Sequence, residues 1–255
     1  MDQTVLIIGL GEVGKPLLEI MKSRYQTFGV DINQLASVSQ CDVMHICFPF
    51  KNDKFVGQVI EYIDQYQPAL TVINSTVAPG TTRRIAVESG TAVVNSPVRG
   101  KHARMQEELL HYTKFVGALD LQSGQRAIEH FGGVGMKTKL LASPEASEIA
   151  KLTETTYFGL MIAWAQEIER YCAKLGANYD EVVSFYDEIK FFPPVKYFPG
   201  VIGGHCVMPN IAILRQRFSS GLLEAIVQSN TLRQKNLGPE GWLESSRSSP
   251  LISNL

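Results

Sequence analysis

The chain has 255 residues, of which 45% are apolar and 19% charged, and its formal net charge at pH 7 is -1. This is an ordinary globular composition with enough residues for two domains, and the near-zero charge excludes recruitment of nucleic acid or an anionic membrane by a global field. No apolar run reaches the length of a membrane span or of a signal-peptide core. We therefore expect a cytoplasmic protein without nucleic-acid or membrane partners.

The first part of the chain alternates strand-like and helix-like segments. Seven apolar runs predict strands, over residues 4–9, 27–31, 43–48, 70–74, 92–95, 115–118 and 137–141. Helical spacing of apolar residues predicts helices over residues 14–23, 54–66 and 123–131. This alternation is typical of an α/β fold, and we predict a doubly wound parallel Rossmann sheet over residues 1–142.

The pattern changes at Ser143-Pro144-Glu145, which has the composition of a helix N-cap, a first helical residue and a first-turn acid. A helix-like stretch follows over residues 145–175 and ends at Gly176, a residue type favoured just after a helix. We predict an all-helical domain with this long central helix over residues 143–243, and a disordered serine-rich tail over residues 244–255. A helix of about thirty residues is longer than one small core needs, which favours a role in bridging domains or in dimerisation.

A GxGxxG loop connects the first predicted strand to the first predicted helix, which is the context in which this pattern binds dinucleotides. Gly9 permits the tight turn, Gly11 lets a pyrophosphate approach the backbone, and Gly14 lets the helix pack closely on the strand. The helix N-terminus, with the loop residues Glu12 and Val13, offers N–H groups and a positive dipole end to phosphate. The sequence therefore predicts a dinucleotide site here.

Asp31 ends the second predicted strand and extends this prediction. A carboxylate at that place accepts hydrogen bonds from ribose hydroxyls and repels the 2′-phosphate of NADP, which favours NAD as the cofactor. Strand carboxyl ends line the cofactor crevice, so Pro49, Ser75 and Thr76, which follow the third and fourth strands, are further cofactor-binding candidates. Residues 32–40 leave room for little more than a helical turn or two, which predicts a short or open adenine side.

The four cysteines are Cys41, Cys47, Cys172 and Cys206. None forms a CxxC pair and no cysteine–histidine spacing suits a zinc site, so we expect free thiols and no metal. The first three lie in or beside apolar segments, and we interpret them as structural residues. Cys206 follows Gly-Gly-His, which is not a typical core setting and favours a reactive thiol.

Three further segments form a second pattern. They read STVAPGTT at residues 75–82, AKLTETTY at residues 150–157 and PGVIGGHC at residues 199–206. In this order and spacing they resemble the UDP-glucose/GDP-mannose dehydrogenase family, the NAD-dependent nucleotide-sugar 6-dehydrogenases. The resemblance covers residues 4–232, and the GGHC loop is similar to the UDP-N-acetylmannosamine and N-acetylglucosamine dehydrogenase branch.

The resemblance implies that a sugar 6-hydroxyl is oxidised twice, with two NAD per product. Cys206 matches the family's nucleophile and Lys151 its helix lysine. A thiolate traps the aldehyde as a thiohemiacetal, from which a second hydride leaves to give a thioester, and His205 or a helix end favours that thiolate. A lysine near the reacting carbon takes the hydroxyl proton or stabilises the oxyanion. Thr155, four residues after Lys151, shares its helix face.

The resemblance also implies where the substrate and a partner subunit bind. Arg99 and the loop residues Gly203, Gly204 and His205 are the expected substrate contacts. The family forms homodimers through its long central helix, which implies a homodimer through residues 145–175 here.

The sequence departs from the family pattern at three residues and in its extent. Val98 stands where the family has a glutamate, Asn210 where it has an aspartate, and Thr155 where it has an asparagine. The chain also ends before the family's third domain, which binds the nucleotide of the sugar nucleotide. Because two of these changes touch thioester hydrolysis, we expect an incomplete four-electron cycle on a normal UDP-sugar. Thr155 and Asn210 stay among the candidate catalytic positions.

Two other functions stay open at this point. One is a catalytically impaired NAD-binding protein that acts as a homodimer. The other is a two-electron dehydrogenase of the 3-hydroxyacid type, which also joins a Rossmann domain to a helical domain and uses a helix lysine, but needs no cysteine. A Cys206→Ser variant separates them, because the change abolishes acid formation in a nucleotide-sugar dehydrogenase and barely matters in a 3-hydroxyacid dehydrogenase.

Overall fold

The computed structural model describes residues 3–31, 38–51, 54–100, 104–189, 198–203 and 206–247, with side chains as far as residue 237. The chain divides into two compact units, Met1–Lys151 and Leu152–Leu255. The division falls inside the long helix rather than at the predicted boundary after residue 142, because the first turns of that helix bond to loops of the first unit.

The first unit is a seven-stranded sheet with helices on both faces. Its elements in chain order are β1 (Thr4–Ile8), α1 (Gly14–Lys22), β2 (Gln26–Val30), β3 (Val43–Ile46), α2 (Lys54–Tyr66), β4 (Leu70–Ile73), α3 (Thr81–Ser89), β5 (Val93–Asn95), α4 (Met105–His111), β6 (Lys114–Ala118), α5 (Leu121–Gly133) and β7 (Thr138–Leu141). The strand order is β2-β1-β3-β4-β5-β6-β7. Strands β1 to β5 are parallel, β6 is antiparallel to β5, and β7 is parallel to β6.

The predicted α/β Rossmann class is confirmed, and each of the seven predicted strands is present. The sheet is parallel except between β5 and β6, which pair antiparallel, a strand direction that apolar periodicity does not specify. The apolar periodicity did not predict helices α3 and α4, because they are short and carry few apolar residues.

Two apolar cores lie on opposite faces of the sheet, since side chains alternate along each strand. Leu17 of α1, Leu109 of α4 and Phe131 of α5 pack on one face. Phe55 of α2 and Ile85 of α3 pack on the other. Helices therefore cover both faces of the sheet, and the loops that follow the strands lie at the ends of the strands.

The second unit is helical in the part that the structure describes. Helix α6 (Pro144–Leu175) begins in the first unit and is followed by α7 (Tyr179–Ser184), a 3-10 turn (Phe185–Glu188), α8 (Val207–Arg215) and α9 (Gly221–Arg247). The predicted ends of α6 are confirmed, since Ser143 Oγ accepts from Ala146 N at 3.2 Å and Gly176 has φ +70°. Among the described residues, no helix is both long and apolar enough to cross a membrane.

The tail predicted over residues 244–255 differs in its first part, because α9 continues through Arg247. Residues 248–255 lie outside the described part of the chain. Residues 238–247 are helical although they include Gly238, Pro239 and Gly241, residue types that disfavour a helix interior.

Candidate active site

The glycine loop lies where the strand order of the sheet reverses. Strand β1 pairs with β2 on one side and with β3 on the other. The backbone N–H of Gly9 donates to Val30 O at 2.8 Å, and the N–H of Cys47 donates to Ile8 O at 2.8 Å, so both neighbours stay paired with the end of β1. Ligands of open α/β sheets bind at this switch point, outside the carboxyl ends of the strands.

The three glycines of the loop have different surroundings. Gly9 has φ +91°, and a Cβ on it would lie 2.9 Å from Phe48 N, so a side chain is excluded by both torsion and contact. A Cβ on Gly14 would lie 1.8 Å from Gly9 O, which excludes any other residue at the start of α1. A Cβ on Gly11 would meet nothing within 4 Å, so the backbone there borders open space.

The other predicted cofactor residues lie at the same edge. Asp31 is half-buried and directly follows β2, while Pro49 is exposed after β3. Ser75 Oγ donates to Phe48 O at 2.6 Å and so ties the segment after β4 to the segment after β3, and Thr76 is half-buried beside it. The structure brings these residues to one edge of the sheet, whereas residues 32–37 of the predicted adenine side lie outside the described residues.

The start of α6 is held against two loops by side chains that sequence reasoning missed. The buried carboxylate of Glu148 accepts from Gly80 N at 2.7 Å and from Thr82 N at 2.9 Å, and burial raises its pKa. Ser147 Oγ donates to Asn95 Oδ1 at 2.6 Å. Lys151 lies one helical turn after Ser147 and is half-buried, so these contacts place the helix lysine at the carboxyl edge. A fully buried glutamate is rare and therefore points to a specific role. The sequence alone did not indicate that Glu148 is buried.

Lys114 is a second basic residue at this edge, and its side chain is only 3% exposed. Its ammonium group donates to Ser96 O at 2.6 Å and to Asn74 Oδ1 at 3.3 Å. Burial lowers the pKa of Lys114 to about 7; Cys47 raises it and Lys151 lowers it further. Sequence reasoning missed this residue because it immediately precedes the predicted strand and was not counted as part of it.

Asn74 connects Lys114 to a pair of buried histidines. Asn74 Nδ2 lies 3.0 Å from His45 Nδ1, and His45 Nε2 lies 2.9 Å from His130 Nε2. His130 Nδ1 lies 2.7 Å from Gln3 Oε1. If Asn74 donates to His45, each ring then donates onward to its neighbour, and every contact is satisfied with neutral imidazoles. We call these residues the lysine–histidine network: Gln3, His45, Asn74, Lys114 and His130.

Burial is the main cause of the low pKa values in this network. It lowers the pKa of His130 to about 4 and that of His45 well below its ordinary value, with the charges of His130 and Lys114 as smaller causes for His45. Both rings are therefore neutral at physiological pH.

Arg99 is held by aromatic rings at the end of the turn that follows β5. Its guanidinium carbon lies 5.3 Å from the centre of the Tyr112 ring and 5.7 Å from that of Phe115. These are cation–π distances, so the side chain is oriented before any ligand binds. Val98, which stands where the family has a glutamate, is buried in the core.

In the second unit, Cys206 is exposed and is the N-cap residue of α8. Asn210 is buried one turn later, and its Nδ2 donates to Thr155 Oγ1 at 2.8 Å. Two of the three residues that depart from the family pattern, Asn210 and Thr155, therefore contact each other. Gly203 is half-buried, and the predicted substrate residues Gly204 and His205 lie outside the described residues.

Amide side chains hold the segment that leads to Cys206, and sequence reasoning missed them as well. Asn230 of α9 accepts from Ile202 N at 2.7 Å and donates to Ile202 O at 3.0 Å. Gln166 of α6 donates to Gly200 O and accepts from Ser229 Oγ at 2.9 Å. We call Gln166, Ser229 and Asn230 the amide network. In the sequence, the signal that could have identified these residues is a polar side chain at a helix position where the periodicity predicts an apolar one.

The other cysteines have the surroundings expected of structural residues. Cys41 and Cys172 are buried. Burial raises the pKa of the Cys41 thiol and of the Cys47 thiol to about 12, which disfavours a thiolate at either position.

Comparison with known proteins agrees with this architecture. Residues 145–232 match the family model described as "UDP-glucose/GDP-mannose dehydrogenase family, central domain". The UDP-N-acetyl-D-mannosamine dehydrogenase of Methanococcus vannielii is 24% identical over 254 residues, which cover 80% of this chain and 59% of that protein. The enzyme of the same name from Campylobacter jejuni is 23% identical over 265 residues, with 80% and 65% covered. The chain thus spans less than two thirds of the length of these curated relatives.

Solved structures show the same fold. A UDP-D-ManNAc dehydrogenase from Pyrococcus horikoshii has a TM-score of 0.78 at 20% identity, with 89% of this chain and 68% of that chain covered. A 3-hydroxyisobutyrate dehydrogenase from Mycobacterium tuberculosis has a TM-score of 0.73 at 15% identity, with 94% and 96% covered. The resemblance that the motifs indicate is confirmed by the match of residues 145–232 to the central domain of the UDP-glucose/GDP-mannose dehydrogenase family.

Proposed function

We propose that this chain is an NAD-dependent dehydrogenase that oxidises the primary alcohol of a sugar or nucleotide sugar. The observation that carries the proposal is the match of residues 145–232, which contain Lys151 and Cys206, to the central domain of a nucleotide-sugar dehydrogenase family. A glycine loop at the switch point of a Rossmann sheet in the same chain supports it.

The first unit supplies the cofactor-binding residues of this proposal. Open space beside Gly11 admits a pyrophosphate, which the N-terminal N–H groups of α1 attract. Asp31 lies at the carboxyl end of β2, where its carboxylate accepts from ribose hydroxyls and disfavours a 2′-phosphate. NAD+ supplies the hydride acceptor when bound.

Lys151 and Cys206 carry the proposed chemistry. The neutral amine of Lys151 accepts the proton of the sugar hydroxyl, or stabilises its oxygen, while C6 loses a hydride and becomes an aldehyde. The Cys206 thiolate adds to the aldehyde carbon as a thiohemiacetal, and loss of a second hydride from that carbon leaves a thioester. Water must then displace the cysteine sulfur to release the acid.

The substituted positions make this last step the weak one. The side chain of Val98 is buried and apolar, and the Asn210 amide bonds to the Thr155 hydroxyl, so none of the three supplies a carboxylate to activate water. We infer that turnover of a normal UDP-sugar stops before free acid is released, or that a smaller or differently bound alcohol is the substrate.

A steady-state assay with a panel of UDP-sugars, in which the NADH formed per substrate is counted, tests this function. If turnover stops at the thioester, we expect an initial burst of at most two NADH per enzyme active site and no free acid, whereas continued turnover to two NADH and an acid product per sugar would refute the incomplete cycle. Cys206→Ser abolishes acid formation or lets aldehyde accumulate if the cysteine is the nucleophile. Absence of NADH formation with every alcohol, despite NADH binding, favours the catalytically impaired binding protein.

The cofactor is tested separately by titration with NADH and NADPH, and we expect tighter binding of NADH. Gly11→Ala adds a methyl group where the backbone borders open space, so it leaves the fold intact and weakens NADH binding about tenfold. Gly57→Ala is the matched control, because Gly57 is also exposed with nothing within 4 Å of an added Cβ and lies in α2, away from the loop. Equal binding by wild type and the Gly11 variant contradicts the phosphate site.

A second candidate function is a 3-hydroxyacid dehydrogenase, favoured by the fold likeness to a 3-hydroxyisobutyrate dehydrogenase over 96% of that chain. The cysteine separates the two functions. If a 3-hydroxy acid is oxidised with one NADH per molecule and Cys206→Ser keeps the wild-type rate, this second function replaces the first.

A homodimer through α6 is part of the proposal. Tyr157, Trp164 and Tyr171 occur at every seventh residue of α6 and are 51%, 48% and 51% exposed. Such spacing puts three large aromatic rings on one stripe of the helix, as in a helix that pairs with a second copy. Light scattering should give a dimer mass for wild type and a monomer for Trp164→Glu, and a monomeric wild type refutes this assembly.

A further inference from the structure

The segment that leads to Cys206 is buried but has no regular secondary structure. Residues 199–203 form neither helix nor strand, and Val201 and Ile202 are 0% and 1% exposed. Backbone N–H and C=O groups in such a segment must find partners other than a helix or sheet ladder. The side chains that supply those partners therefore determine where the segment lies.

Asn230 pairs with both backbone polar groups of one residue in this segment. Its Oδ1 accepts from Ile202 N at 2.7 Å and its Nδ2 donates to Ile202 O at 3.0 Å. The carboxamide thus takes the place of a neighbouring strand, and it is 3% exposed. Since each bond uses a different end of the amide, the orientation of Ile202 is specified as well as its position.

Gln166 secures the same segment two residues earlier. Its Nε2 donates to Gly200 O and lies 3.4 Å from Asn230 Oδ1, while its Oε1 accepts from Ser229 Oγ at 2.9 Å. The residue is 0% exposed on α6, so the amide is oriented by packing as well as by hydrogen bonds. The two amides therefore act on the segment from two helices of the same unit.

Only a short link separates this anchored segment from the proposed nucleophile. Four residues lead from Ile202 to Cys206, and the first two, Gly203 and Gly204, restrict the backbone least of all residue types. A link of this length spans at most about 14 Å when fully extended. Because the glycines themselves restrict the backbone so little, the anchor at Ile202 on one side and the first helical hydrogen bond of α8 on the other, from Asn210 N to Cys206 O, limit where the cysteine lies.

We propose that Asn230 and Gln166 are positioning residues for Cys206, which act by holding residues 200–202 in place and make no contact with the substrate. The inference rests on the proposed function, in which the Cys206 sulfur attacks an aldehyde. Nucleophilic attack depends on approach to within a few tenths of an ångström of the reactive distance, so a loosened loop lowers the rate of the cysteine-dependent step more than the affinity for cofactor.

The test compares Asn230→Leu with Asn236→Leu, the same change at an exposed position of the same helix. In Asn230→Leu we expect about tenfold faster hydrogen exchange of the backbone N–H groups within residues 199–206, of which Pro199 has none, because both hydrogen bonds to Ile202 are lost. We also expect kcat to fall about tenfold or more while KM for NAD stays within about twofold. Asn236→Leu should change none of these quantities.

The variant Asn230→Asp gives a second test, which does not require the buried site at position 230 to tolerate an apolar side chain. The protonated acid donates to Ile202 O and accepts from Ile202 N, whereas the carboxylate can only accept. Exchange of residues 199–206, corrected for intrinsic rates, should therefore be close to wild type at low pH and faster at high pH, with no such change in wild type.

Slow exchange of residues 199–206 in both Asn230 variants overturns the inference. So does a kcat equal to that of Asn236→Leu when exchange is fast, because the loop would then move without consequence for the cysteine. If wild type oxidises no alcohol at all, the proposed function fails on its own. The exchange arms still decide whether the amides hold the cysteine loop.

Discussion

The two units hold their loops with different buried chemistry. In the first unit the lysine–histidine network contains three titratable groups, and one end of it bonds to the turn that carries Arg99. In the second unit the amide network contains none, and it bonds to the segment before Cys206. Both networks satisfy their polar atoms inside an apolar core, but only the first can gain or lose protons within the ordinary pH range.

This difference teaches that the two parts of the proposed site respond differently to solution conditions. Protons compete with folding of the first unit at this network, because the pKa values of His45, Lys114 and His130 lie below those of the unfolded chain. None of the three members of the amide network is ionisable, and the charged neighbour that bonds to it is Arg170, which donates to Ser229 Oγ at 3.0 Å, so we expect the contribution of the amides to stability to depend on contacts and not on pH. Variants that remove one member of either network make the comparison quantitative.

The largest effect is expected at Lys114. Its pKa is about 7 in the fold against 10.5 unperturbed, so the folded state binds fewer protons than the unfolded chain between these values. Its contribution to the free energy of unfolding is fully present above pH 10.5 and is lost as pH falls to 7, by at most about 5 kcal/mol at 1.36 kcal/mol per pKa unit. Lys114→Met should remove this rise in stability with pH.

Urea unfolding of the first unit at several pH values between 7 and 10, followed by hydrogen exchange of the sheet, measures this slope. Lys139→Met is the matched control, because Lys139 is exposed on β7 of the same sheet. Both tryptophans, Trp164 and Trp242, lie in the second unit, so their fluorescence reports that unit separately. Identical slopes for wild type and Lys114→Met contradict a buried, deprotonating lysine.

His130 should give the next largest effect, on the acid side. Its pKa of about 4 lies below the unperturbed 6.5, so its contribution to stability is present above pH 6.5 and is lost as pH falls through 4. The loss is at most about 3 kcal/mol. His130→Gln should flatten the acid limb of first-unit stability, even where it lowers stability at pH 7 by removing the stack on Tyr25. His111→Gln, at an exposed position of α4, should leave the limb unchanged.

The sequence predicted most of this fold and the place of the glycine loop in it, for physical reasons that particular residues illustrate. Uninterrupted apolar runs such as the one ending at Ile8 identify buried strands, and Gly9 and Gly14 are needed at their places by torsion and contact. The two networks could not be predicted, because their members are far apart in sequence. His45 and His130, for example, are 85 positions apart, and neither has a local pattern that points to the other.

A change at Gln166 tests the expected behaviour of the amide network in the second unit. Gln166→Leu places an apolar side chain of similar size at a completely buried position, but leaves Gly200 O without its donor and Ser229 Oγ without one of its acceptors. We expect the second unit to lose about 2 kcal/mol, measured by tryptophan fluorescence in urea. The loss should be the same from pH 5 to pH 9, and Gln234→Leu, at an exposed position of α9, should cause almost none. A loss that varies with pH contradicts the division between the two networks.

Thr155 should give the smallest effect, because only hydrogen bonds between neutral groups are at stake. Asn210 Nδ2 donates to its hydroxyl at 2.8 Å, and the hydroxyl donates to Leu152 O at 3.0 Å within the same helix. Thr155→Val removes both bonds while it keeps the shape of the side chain, and Thr155→Ser keeps the hydroxyl as a control. We expect the valine variant to lose about 1 kcal/mol of second-unit stability, equally at acid and neutral pH. A carboxylate at position 210 would make that loss pH-dependent, so Asn210→Asp combined with Thr155→Val should transfer to the second unit the proton sensitivity that is otherwise confined to the first.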